Sequence, residues 1–320
     1  MTRPAPAQCE PVTTNGTIAV ANLHAQIDGL AARSRRADPG QAATETAVAA
    51  RVQLIDLLTL RGEVLGRIAD YELAAELAEC LVRDVPDDGT AWLTRAKTRA
   101  TFHRFAMALD DLDAAGRNGL APAVTDTKRT ATLQAAGYHA DALVLCADAV
   151  KRGPGFATLG ALAVLHAEQG DVTAAEHLFT QARRRYQDIS PFPIASLDYR
   201  RGLMWHRQGD LAAARAWFDA AQRRVPAYAP AQGRLAQIEA ALGAHEAAID
   251  RLYPLACSSD DPQYAASLAR VLSGTGRHRE ARTWRFRATA RYAELTQRHP
   301  GVFAHHAAGF RHPPNRWDSQ

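Results

Sequence analysis

Only three lysines occur in 320 residues, Lys97, Lys128 and Lys151; all other basic side chains are arginine. Cysteine is nearly as scarce. Cys9, Cys80, Cys146 and Cys257 lie far apart and form no C-x-x-C pair. That excludes a disulfide framework and a zinc ribbon, and the expectation is reduced, partly buried thiols in a cytoplasmic protein. Long apolar runs are absent, so nothing approaches the ~18–20 residues that cross a bilayer. Met1–Gly16 carries Arg3 but no following apolar stretch, and is read as a tail rather than a signal peptide or membrane anchor. Strong charge is lacking too. The net value is +4, with 22% charged and 47% hydrophobic residues, ordinary for a folded chain. Arginine- and alanine-heavy usage suggests a bacterial source.

Catalytic signatures are also missing. His245-Glu246-Ala247-Ala248-Ile249 begins like a zinc-protease helix, but Ile249 stands where the second histidine is needed. Gly274-Thr275-Gly276 has no preceding strand and no phosphate-loop lysine. A Gly-x-Ser-x-Gly elbow is absent. His299, His305, His306 and His312 make no i, i+4 pair and have no cysteine nearby. No enzyme, cofactor or metal site is expected.

What is present is a period. Alanine recurs at Ala74, Ala108, Ala142, Ala175, Ala214, Ala248 and Ala281, at intervals of 34, 34, 33, 39, 34 and 33. Each opens an amphipathic segment just after a turn. Seven hairpins are read at Ile55–Pro86, Gly89–Leu120, Ala123–Pro154, Phe156–Gln187, Ala195–Pro226, Ala229–Asp260 and Pro262–Arg298. The 39-residue interval holds Asp188–Ile194, whose Pro191 and Pro193 predict a bent loop. A single hairpin cannot bury its apolar face, so stacking is obligatory.

Gly202, Trp205, Gly209, Ala214, Phe218, Ala221 and Pro226 resemble the tetratricopeptide repeat signature. Trp92, Ala96, Ala108, Leu112 and Ala115 match in the second hairpin, and Gly170, Ala175, Phe179 and Ala182 in the fourth. The resemblance spans about Ile55 to Arg298. It implies an all-α fold, an α-solenoid forming a right-handed superhelix of about seven hairpins with terminal capping helices. The expected divisions are a disordered tail at 1–16, a capping helix and the start of the first long helix at 17–54, the array at 55–300, and a cap with mobile tail at 301–320. Ile18, Leu23, Ile27 and Leu30 form the apolar stripe of the first cap; Val302, Phe303 and Phe310 serve the second.

The resemblance further implies a protein or peptide partner held along the concave face of the first helices. Inward stations carried over from the family are Asp56 and Glu63, Lys97 and Thr101, Gln134, Tyr199 and His206, Gln237, and Arg270. Lys97 stands alone among them as a lysine, so the paired carboxylate clamp of chaperone-binding members is not expected. The reading is a non-enzymatic scaffold or adaptor, with no membrane contact. Nucleic acid is not the expected partner. The competing reading is a ligand- or peptide-sensing regulator that meets an acidic partner through the arginine-rich last hairpin, at Arg277, Arg279, Arg282 and Arg285.

Overall fold

A computed structural model describes residues 11–36 and 44–311. Sixteen helices and no strands occur among them. Helix α1 (Gly16–Arg36) precedes seven hairpins. These pair α2 (Glu45–Leu65) with α3 (Ile68–Asp84), α4 (Gly89–Thr101) with α5 (Phe105–Arg117), and α6 (Pro122–Ala135) with α7 (His139–Arg152). Then come α8 (Phe156–Glu168) with α9 (Val172–Arg184), α10 (Pro191–Arg207) with α11 (Leu211–Arg224), α12 (Ala229–Ala241) with α13 (His245–Ser258), and α14 (Pro262–Gly274) with α15 (His278–Arg298). Helix α16 (Pro300–Arg311) closes the described chain.

The phased alanines explain the hairpins. All seven are at most 2% exposed. A methyl group at each crossing lets two helix backbones approach, and the larger side chains beside it fill the groove. Gly202 acts in the same way: a Cβ there would lie 2.5 Å from the Phe218 ring, which is itself fully buried. Turns between paired helices use left-handed backbone at Gly137, Gly170, Gly209, Gly243 and Gly276. The second hairpin departs from this rule, with His103 at φ 55° in the equivalent place.

Two local expectations are corrected. Pro191 and Pro193 do not break the chain but begin α10, because the first helical turn has no N–H bonds to lose. The loop before it is held: Asp188 accepts from the Ile189 and Ser190 N–H groups, and the Tyr186 hydroxyl donates to the Ser190 carbonyl at 2.6 Å. Ile18, placed in the cap stripe, is 56% exposed, while Leu23, Ile27 and Leu30 are buried against α2 and α3. Residues 1–10 and 312–320, with Cys9 and His312, lie outside the described residues, as does the side chain of His306. Residues 11–15, assigned to the tail, are anchored. Thr14 N–H donates to the Ile189 carbonyl at 2.8 Å, and Arg224 donates to the Pro11 carbonyl at 3.1 Å.

The array closes on itself after one turn. Val64 of α2 is buried with Ala195, Ala221 and Val225 from the fifth hairpin. Ile68 of α3 joins the core of the sixth and seventh. Glu72 of α3 lies 2.7 Å from Arg298 and 2.9 Å from His299, whose ring stacks on Phe102 at 3.9 Å. His103 faces the Gly301 carbonyl at 3.2 Å. The one non-glycine turn of the set is thus also a closure contact.

Candidate inner-surface site

Closure decides what the inward residues can do. Asp56 and Lys97 neutralise one another at 2.9 Å, and Thr101 donates to the Lys97 carbonyl at 3.1 Å. Lys128 lies nearby. Burial lowers its pKa, Lys97 lowers it further, and Asp56 and Glu63 oppose both. Glu63 accepts from the Ser196 hydroxyl at 3.2 Å and the Tyr228 hydroxyl at 3.1 Å, both from hairpins on the far side of the closure.

Five of the nine predicted groove residues line three separate cavities. Glu63, Tyr199 and Gln237 line the first, about 330 Å³ in volume, with Arg200, Tyr228, Arg234 and Tyr264. Tyr199 packs edge-on to Tyr228 at 5.7 Å between ring centres. His206 sits about two helical turns beyond Tyr199 on α10; burial lowers its pKa and Arg234 adds to the effect. Thr101 belongs to a second cavity of about 260 Å³, beside Phe102, Asp261 and Tyr292. Arg270 belongs to a third of about 460 Å³, shared with Arg285 and Phe310. Gln134 is half-buried on α6 and lines none of the three.

Arg200 and Arg234 were missed. They stand 34 residues apart, at one station of successive first helices, so the repeat itself held the signal. Tyr264 was missed because its inward position depends on the closure with Gly66.

Several other arginines hold the packing together. Arg95 and Arg99 both donate to Asp111, which is 2% exposed, and both reach Glu79. Arg183 is buried against Asp198, and Arg201 joins Glu176 while lying 3.9 Å over the Trp217 ring. On α15, Arg277 pairs with Glu280 at 2.8 Å. Arg279 and Arg282 are exposed, and share a helix face with Phe286, which is 76% exposed. Among the described residues no cluster of histidine, cysteine or carboxylate is arranged to hold a metal, and no helix is long and apolar enough to cross a membrane.

A tetratricopeptide repeat family profile matches residues 161–229, which cover α9, α10 and α11 with most of α8 and the start of α12. Over those residues the chain resembles the tetratricopeptide repeat family, and its stacked helical hairpins have the fold of that family. Solved structures agree on the fold. The human IFIT1 dimer with m7Gppp-AAAA superposes at a TM-score of 0.59 and 16% identity, covering 78% of this chain and 62% of that one. Human IFIT1 with PPP-AAAA gives 0.57 and 16%, covering 78% and 64%. The APC/C hetero-tetramer Cut9–Hcn1 gives 0.51 and 16%, covering 83% and 55%. This chain therefore spans less than two thirds of those chains. No curated protein matches it in sequence.

Proposed function

We propose that this protein is a non-catalytic tetratricopeptide-repeat scaffold that binds a partner polypeptide through the inner surface of its array. The observation that carries the reading is a contrast. Arg95, Arg99, Arg183, Arg201 and Arg251 between helices are held by carboxylates, whereas inward Arg200 and Arg234 are paired with none among the described residues. Polar side chains kept available on a concave wall are what a recognition surface supplies. The proposed contact set is Asp56, Glu63, Lys97, Thr101, Gln134, Tyr199, His206, Gln237 and Arg270. Electrostatic matching along such a wall sets register and rate more than affinity.

A second reading rests on α15. Exposed Phe286 with Arg279 and Arg282 on the same face fits an acidic partner docking on the outside. Affinity capture with the intact chain, followed by Tyr199→Ala and Arg270→Glu against Arg279→Ala with Arg282→Ala, separates the two. Loss of capture with the inner variants alone supports the scaffold's inner wall. Loss with the outer pair alone transfers the site to α15 and overturns the first reading.

A further inference from the structure

One side of the first cavity is built by the closure of the array. Helix α2 lies along its edge, and its C-terminal half meets the starts of α10, α12 and α14. Glu63 is bonded to Ser196 and Tyr228, and the Ser259 hydroxyl donates to the Gly66 carbonyl. The ring of Tyr264 lies 2.7 Å from where a Gly66 Cβ would be. The cavity holds about 330 Å³, small-molecule size by the usual range of ligand sites.

Its lining has a definite chemistry. Arg200 and Arg234 project from the same station of neighbouring helices, and neither meets a carboxylate among the described residues. Among the described residues Arg234 donates to the Gln237 side chain, at 3.0 Å. The one carboxylate in the lining, Glu63, is engaged by two hydroxyls, about one helical turn from Arg200. Tyr199, Leu203 and Tyr264 supply apolar and aromatic wall between these ends. Two forked guanidinium groups favour planar or tetrahedral oxyanions, which accept paired N–H donors.

We propose that this pocket binds a small organic anion, a compact apolar or aromatic body bearing a carboxylate or a phosphate, with the anionic group on Arg200 and Arg234. The site uses part of the inner wall assigned above to a partner, and it goes beyond that reading by giving the array a free small ligand to sense. Glu63 sets the orientation, since an anion is repelled from the α2 end and drawn toward the arginine end.

The test uses the full chain and three probes of similar shape: phenylacetate, phenyl phosphate and neutral phenylacetamide. Titration by NMR should show at least one anion binding with a Kd of about 1 mM, as expected for a fragment of this size. The amide should bind at least tenfold more weakly. The tighter anion identifies carboxylate or phosphate as the natural group. Arg200→Gln and Arg234→Gln should each weaken the anion at least fivefold, while Arg279→Gln stays within twofold. Arg200 is exposed, so its variant should fold normally, as a dichroism melt would verify. A bound anion should also raise the His206 pKa, assigned by comparison with His206→Gln, which a purely structural role for the arginines would not do. Equal binding of all three probes, or no effect of either arginine variant, overturns the proposal. So does tighter, arginine-dependent binding of an acidic octapeptide or a short oligoribonucleotide, because the pocket would then be part of a longer groove. A captured partner retained by the Arg200→Gln variant would leave the scaffold reading standing after the small-anion proposal had failed. Partner capture retained by Tyr199→Ala and Arg270→Glu, with anion binding to the parent chain intact, would do the reverse.

Discussion

Asp260 caps a helix that begins 192 residues earlier: its carboxylate accepts the Ile68 N–H at 2.6 Å and the neighbouring Ala69 N–H at 2.9 Å. Helix α3 needs this, because Arg67 at its N-cap makes no side-chain capping bond. The donor groups left bare at a helix start are satisfied here from the sixth hairpin. Asp260 also holds Arg291 at 2.9 Å. Asp260→Ala should therefore destabilise the protein by about 1–2 kcal/mol, with Asp260→Asn recovering part of the loss. Urea unfolding checks this. Unchanged midpoints for both variants would mean that closure contributes nothing to stability.

Next to it, burial pushes the Asp261 carboxyl up to about 6, against the lowering influence of its bonds to Gln263, and Asp260 adds to the rise. The folded state thus favours the protonated form more than the unfolded chain does. This contribution is fully present below the unfolded pKa, near 4, and is lost as pH rises through about 6. Its size is on the order of 2 kcal/mol. Asp261→Asn keeps an N-cap acceptor without the charge. The variant should gain stability relative to the parent at pH 7.5 and little at pH 4, measured by denaturant titration at both. An equal difference at the two pH values would refute it.

The Asp111 carboxylate is the shared acceptor of Arg95 and Arg99. Removing it strands two guanidinium groups with only the more exposed Glu79. Asp111→Ala should cost about 3–5 kcal/mol, as for a broken buried ion pair, and Asp111→Asn less. Calorimetry of the two variants reads the order directly. A milder effect for alanine than for asparagine would contradict the network.

Gly202→Ala tests close packing within the fifth hairpin. The added methyl meets the Phe218 ring at 2.5 Å. Overpacking of this kind costs about 1–3 kcal/mol. The Gly209 turn glycine offers a contrast: its added Cβ meets nothing within 4 Å, but φ is 74°. Strain alone should make Gly209→Ala destabilising by about 1 kcal/mol. A double variant, Gly202→Ala with Phe218→Leu, should recover part of the first loss. Failure to recover any would place the strain somewhere other than this ring.

The hairpins were legible because their causes are local and repeated. A buried alanine and a turn glycine recur at nearly fixed spacing, and nearest-neighbour stacking follows from the apolar faces of the helices they join. Ala214 and Ala108, both fully buried, needed no more than that pattern. Prolines 191 and 193 show where local reading falls short: the same residue that ends a helix interior is tolerated in a first turn, and only the backbone path distinguishes the two. The inner surface was legible as a set of stations and not as a site. Glu63 and Tyr199 share a cavity while Thr101 and Arg270 belong to others, because small rotations between hairpins accumulate over seven units until the first meets the last. Those rotations depend on the summed shapes of many side chains. The periodicity determined the hairpins and their stacking, and the resemblance to the repeat family supplied the inward stations; the tertiary structure decided that Asp260 reaches Ile68 and that α2 borders the pocket where Arg200 and Arg234 stand.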